Sequence, residues 1–312
     1  MRVRNRSILW ALSIALVAMG CSPSDEPERR VEATSLLGRP LYAPQLTEEF
    51  RAEQESLLEQ AQAELRARPD DPEAVIWVGR RQAYLGRYRA AIETYSEGIE
   101  RHPDDARLYR HRGHRRITVR ELDRAVRDLE RAAGLIAGRP DEVEPDGLPN
   151  ERNIPTGTLG SNVWYHLGLA RYLEGDFEGA LDDYRECLAF SKNPDTLVAT
   201  SHWLYMTLRR LGRDDEAREV LQPIHAGMDV IENHDYHRLL LMYKGDREAE
   251  ELLAQAREAG SLGLATTAYG VGNWYLYGGD RDRAVEIFRG MVETDMWAAF
   301  GTLAAEADLA RW

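Results

Sequence analysis

Catalysis or metal binding needs nucleophiles, acids or ligands at fixed spacing, and this chain offers few. His234-Asp235-Tyr236-His237 puts two imidazoles on one helical face, short of the three or four ligands that zinc takes. His111 and His114 share that spacing, among arginines that would repel a cation. Gly270-Val271-Gly272 begins a dinucleotide fingerprint but lacks its third glycine and a preceding strand. No G-x-S-x-G, H-E-x-x-H or phosphate-binding loop occurs. Of the two cysteines, Cys187 shares an apolar helical phase with Leu181, Tyr184 and Leu188, which predicts a buried, inert thiol and no disulfide framework. These residues predict no catalytic set, no cofactor and no metal.

The most distinctive chemistry is ARLYRHRGHRRITVR, Ala106 to Arg120, with six arginines and no carboxylate. Arg107, Arg110, His114 and Ile117 follow at spacings of three, four and three, a single stripe on a helix. Such a stripe suits an anionic peptide, a C-terminal carboxylate or an acidic glycan. The alternative is that the arginines neutralise their own surroundings, since exposed ion pairs are common and contribute little. Close behind stands a polar insertion, Gly138 to Gly160, carrying Pro140, Pro145, Pro149 and Pro155. A segment of this kind is either a lid over the basic helix or a seam between two stacks.

The elements that must position these residues emerge when the chain is compared with itself. Val78-Gly79, Gly86, Tyr88, Ala91, Tyr95, Gly98 and Pro103 recur as Leu167-Gly168, Gly175, Phe177, Ala180, Tyr184 and Cys187. Gly272, Gly279, Ala284, Phe288 and Met291 repeat the set, with looser copies at Leu211-Gly212 and Gly245-Asp246. The first glycine of each set lets two helices approach closely, and the second permits a left-handed turn. Ala91, Ala180 and Ala284 are small where the antiparallel helices cross, and Tyr95, Tyr184 and Phe288 fill the gap toward the next pair.

This pattern resembles the tetratricopeptide repeat, a helix-turn-helix unit of 34 residues. The resemblance implies an all-α, right-handed helical solenoid over 47–312. Units begin at Pro72, Ala106, Ser161, Val198, Glu232 and Leu262, after a leading helix from Thr47 to Ala67. A closing helix, Trp297 to Trp312, would cover the last apolar face. In this family the stripe phase lines the concave groove, so Arg80, Arg107, Arg110, His114, Tyr165, Leu169 and Tyr172 are the expected groove residues. Arg112 and Arg116 occupy phases that are usually apolar in the repeat.

The start reads as an export signal over 1–20, with Arg2, Arg4 and Arg6 ahead of an apolar run from Ile8 to Met19. That run is shorter than the ~20 residues a membrane-spanning helix needs. Ala18-Met19-Gly20-Cys21 resembles the lipobox of bacterial lipoproteins, which implies lipid attachment at Cys21; the alternative is a plain signal peptide. Ser22 after the cysteine is associated in that group with outer-membrane sorting, facing the periplasm. Residues 21–46 then read as a flexible tether with a root-mean-square span of roughly 25 to 30 Å.

The net charge of -13 becomes -16 without the three leader arginines, which argues against nucleic-acid binding. Tetratricopeptide lipoproteins as a group hold cell-wall hydrolases or assemble outer-membrane proteins. The resemblance therefore implies a membrane-anchored scaffold or adaptor for an envelope protein or extended peptide, without catalysis of its own. The alternative is an enzyme or acidic-glycan-binding protein using 106–120 and 138–160.

Overall fold

A computed structural model of the chain describes residues 30–260 and 262–312, so the export signal, Cys21 and the tether up to residue 29 lie outside the described residues. Helices start where a short polar side chain can take up a free backbone N–H. Asp71 caps α2 (Pro72–Tyr84) and Asp105 caps α4 (Ala106–Thr118). Thr158 and Asn193 form capping boxes at α6 (Leu159–Glu174) and α8 (Pro194–Arg210), the latter with proline in its first turn. Each of these first helices pairs with the next, namely α3 (Tyr88–Arg101), α5 (Leu122–Ile136), α7 (Phe177–Phe190) and α9 (Asp214–Val220). Two more pairs follow, α10 (His234–Lys244) with α11 (Ala249–Ala259) and α12 (Leu262–Tyr277) with α13 (Arg281–Val292). A leading helix, α1 (Glu48–Ala67), packs on α2. The first helices α2, α4, α6, α8, α10 and α12 touch in series, which makes the molecule an all-α solenoid.

The repeated glycine and aromatic residues meet inside their own pair. A Cβ on Gly168 would lie 2.9 Å from the Tyr184 ring, and Gly79 faces Tyr95 and Gly272 faces Phe288 in the same way. Tyr95, Tyr184 and Phe288 are each at most 1% exposed. The expectation that these rings fill the gap to the following pair is thus sharpened: each lies on the glycine of its own first helix, and the missing Cβ is what admits the ring.

Two features depart from the sequence reading. The flexible tether expected over 21–46 does not extend that far, because Val31–Thr34 (β1) and Pro40–Tyr42 (β2) form an antiparallel hairpin. Ala33 is 1% exposed, Glu32 accepts from the Arg89 backbone N–H at 3.0 Å, and Pro44 packs on the Gly86 turn. The burial of adjacent Glu32 and Ala33, at an irregularity between Val31 and Ala33, breaks the alternation that would signal a strand.

The second departure is α14 (Phe300–Arg311). It covers α12 and α13 and also reaches across the concave side to α6. Leu303, Ala304, Ala305 and Ala307 are buried, together with Glu306 and Asp308. Arg120 pairs with Glu306 at 2.8 Å, and Arg210 pairs with Asp308. Leu36 of the hairpin donates its N–H to Glu306 at 2.6 Å, and Trp297 donates to the Tyr42 carbonyl at 2.8 Å while its ring meets Tyr88 edge-on. The end of the solenoid is therefore locked onto its beginning, and the groove between them is occupied by the chain itself.

Candidate functional site: the pocket beneath the insertion

Residues of the insertion form a strap across the first helices. The Arg80 and Arg81 guanidiniums donate to the carbonyls of Pro145 (2.7 Å) and Gly147 (3.1 Å), and Gly147 packs against the Tyr84 hydroxyl. Val143 bridges to Thr158, and Asp141 accepts from Gly160 N–H at 2.9 Å at the start of α6. Further along, Arg152 makes a bidentate pair with Asp229 and Thr156 donates to Glu232. Of the lid and the seam considered for this segment, the strap has the position of a lid: it passes over α4 and α6 and is fastened ahead of α10.

Beneath it lies a pocket of about 310 Å³ whose walls include Arg110, His114, Asn162, Tyr165, His166, Tyr236 and Phe300, with Glu232 at its α10 side. Arg110 reaches Glu144 of the strap at 3.0 Å, and Asn162 donates to the other oxygen of Glu144 at 3.1 Å. His114 and His166 stand ring to ring, centroids 4.3 Å apart, with Phe300 of α14 against both. Burial, reinforced by Arg110 and Arg115, holds both imidazoles well below their ordinary pKa, so they are neutral acceptors at pH 7. His166 donates Nδ1–H to the Asn162 carbonyl at 2.6 Å, which turns Nε2 into its acceptor. The Tyr165 and Tyr236 hydroxyls are 3.0 Å apart, and burial pushes both above the ordinary tyrosine value.

Of the expected groove residues, the fold brings Arg110, His114 and Tyr165 together in this pocket. Arg80 stacks on Trp77 at 4.6 Å and holds the strap. Arg107 does not line this pocket: it pairs with Asp105 at 2.6 Å and Glu73 at 2.8 Å and lines a separate polar cleft at the start of α4. Nor do Leu169 and Tyr172 face an open groove. Both are fully buried, and the Tyr172 hydroxyl accepts from Tyr269 at 3.0 Å, because α12 and α14 cover that stretch of α6.

The basic helix is also less free than its composition suggests. Arg112 and Arg116 both converge on Asp128 of α5, which is 4% exposed, so they fill apolar phases as an ion-paired cluster. With Arg107, Arg110 and Arg120 paired as described, five of the six arginines meet carboxylates. Sequence reasoning missed His166, Tyr236, Phe300 and Glu232, which lie on α6, at the start of α10 and on α14, far apart in the chain; only Glu144 in the strap had a sequence signal, as an acid in a proline-rich insertion beside a basic helix. Cys187 borders the pocket at 1% exposure, its thiol pushed up to about 12 by burial. Among the described residues no group of three or more His, Cys, Asp or Glu side chains could hold a metal ion, and no helix is long and apolar enough to cross a membrane.

Fold and repeat together define a tetratricopeptide-like solenoid. The family described as Tetratricopeptide repeat matches residues 161–194, the α6/α7 pair. Solved structures similar to this chain include YrrB, described as a TPR protein with an unusual peptide-binding site, at 15% identity and a TM-score of 0.44, covering 77% of this chain and 96% of that one. They include MamA, at 16% identity and a TM-score of 0.43, covering 64% and 95% of the two chains. PilF of Pseudomonas aeruginosa matches at 15% identity and a TM-score of 0.45, covering 78% and 85%. No curated protein matches the chain.

Proposed function

We propose that this protein is a non-catalytic scaffold of the bacterial envelope, anchored through lipid on Cys21 and recruiting another envelope protein or an extended peptide. Solenoids of paired helices serve as protein-interaction scaffolds because each unit adds surface without altering its neighbours. In most such folds the partner lies in the concave groove, but α14 fills it here. The observation that carries the reading is where apolar side chains remain exposed. Of eight large ones among the described residues, Val31, Leu36, Leu37 and Tyr42 are on the hairpin and Val143, Leu148 and Ile154 on the strap. Both segments lie outside the helices, and exposed apolar groups gathered in this way favour a protein contact. The strap is therefore the docking surface in this reading, and the hairpin, nearest the anchor, keeps it oriented toward the membrane.

Crosslinked capture from envelope extract tests this reading, comparing the full chain with a Val143→Asp, Leu148→Asp, Ile154→Asp variant of unchanged helicity. A defined partner held by the first and lost by the second supports it. Equal capture by both moves the docking surface elsewhere, and no capture by either removes the scaffold reading. Cys21→Ser would release the protein from the membrane fraction; retention unchanged would remove the anchor.

A further inference from the structure

The hairpin that closes the groove has an outward face without a free charge. Its register sets Val31 opposite Tyr42 and Thr34 opposite Pro40, all four exposed, while Ala33 and Leu41 turn inward onto the core. At the tip the polar residue goes in and the apolar ones come out: Ser35 is 6% exposed, whereas Leu36 and Leu37 are 40% and 38% exposed. The segment from Val31 to Ala43 holds two charged residues, in a chain where 30% are charged. Glu32 is buried, and Arg39 is tied down, donating to the Val292 carbonyl at 2.7 Å and pairing with Glu293 at 3.1 Å.

The tip also satisfies its own backbone donors. The Leu36 N–H goes to Glu306, the Leu37 and Arg39 N–H groups to Ser35 Oγ at 3.2 and 3.0 Å, and the Gly38 N–H to the Ser35 carbonyl at 2.9 Å. Gly38 supplies the φ of 81° that this turn requires. With these four donors paired inside the protein, moving the tip into an apolar medium strands none of them.

Position in the chain says which medium that is. Nine residues lead from Cys21 to Arg30, a span of at most about 30 Å when fully extended. The hairpin is therefore the described element nearest in sequence to a lipid on Cys21. We propose that this face lies on the membrane, with Leu36 and Leu37 entering its interfacial layer and Val31 and Tyr42 beside them. The inference rests on the lipid anchor proposed above. A tyrosine suits that depth, its ring in the apolar layer and its hydroxyl among the headgroups. The charge of -16 without the leader arginines gives no attraction to anionic headgroups, so apolar insertion holds the contact. The anchor makes the contact intramolecular, which lets a face of few side chains suffice.

Lipidated full-length protein in vesicles of phosphatidylethanolamine and phosphatidylglycerol tests the proposal, with an environment-sensitive fluorophore on Leu37→Cys. Cys187, 1% exposed, leaves the introduced cysteine as the accessible thiol. Flotation reports the anchor, and quenching by nitroxide-labelled lipids reports insertion. The label should be blue-shifted and quenched severalfold more than one on Leu148→Cys of the strap, and high salt should leave that quenching unchanged. Adding Leu36→Asp and Tyr42→Asp, both at exposed positions, should cut it severalfold without altering flotation or helicity. A protein that floats with its position-37 label in water overturns the proposal and leaves the anchor standing. A protein that does not float removes the anchor and the inference with it. Equal quenching on the strap would also overturn it, as would a blue shift already present in soluble Cys21→Ser protein, which marks contact between copies.

Discussion

Replacing Arg120 with glycine should destabilise the protein even though glycine is the residue that the turn prefers. Arg120 has a φ of 66°, at the turn position held elsewhere by Gly86, Gly175, Gly212, Gly245 and Gly279 with φ from 70° to 90°. A side chain in that left-handed conformation costs about 1–2 kcal/mol, which Arg120→Gly would recover. Against this, the Arg120 side chain is 3% exposed and donates to both oxygens of Glu306, to the Trp297 carbonyl and to the Thr118 carbonyl. Glu306 is equally buried and would keep only the Leu36 N–H. Breaking a buried ion pair by removing one partner costs about 3–5 kcal/mol, so the net loss should be about 1–4 kcal/mol. Urea unfolding followed by circular dichroism would show it as a lower midpoint, and adding Glu306→Gln should restore about 1–3 kcal/mol of it. If Arg120→Gly is as stable as the parent, or Glu306→Gln gives no rescue, the pair does not hold α14 in the groove and the closure argument fails.

Gly168→Ala would place a Cβ 2.9 Å from the Tyr184 ring and should lower stability by about 1–3 kcal/mol, whereas Gly134→Ala, with open space around its Cβ, should raise it by about 0.5–1 kcal/mol; thermal melts that fail to separate them would refute the close-approach argument. Cys187, buried with its thiol pushed up to about 12, should resist iodoacetamide at pH 8 in the native protein and react in urea, with peptide mass spectrometry reporting the difference. Burial and the neighbouring Asp123 carboxyl push Glu174 from 4.5 to about 7, so the folded state holds its proton more tightly than the unfolded chain does. That contribution is complete below about pH 4.5 and disappears as pH rises through about 7. Glu174→Gln should flatten this part of the stability profile, and an unchanged profile would exclude the pair as its source.

Much of this architecture was legible because repetition is a local property. Glycine, alanine and aromatic residues recur at the spacing of a helix pair, and Asp71, Asp105, Asn193 and Gly175 mark helix ends through hydrogen bonds within a few residues. The stripe Arg107, Arg110 and His114 was equally visible, but periodicity gives only a face and not what lies against it. Arg107 was drawn aside by Asp105 and Glu73, and Arg112 and Arg116 turned to Asp128, choices that depend on which acid a neighbouring helix presents. Leu169 and Tyr172 had the phase of a groove and became core, since a helix more than a hundred residues later lies over them.

The sequence by itself determined the helix pairs, their stacking and the burial of Cys187, all of which follow from contacts between residues near one another in the chain. Only the tertiary structure decided that α14 fills the groove, that the first strands close against it through Glu306, and that the pocket joins α4, α6, α10 and α14 beneath the strap. Those contacts bind segments up to 270 residues apart. Their geometry depends on the accumulated rotation between successive helix pairs, a quantity no local pattern encodes.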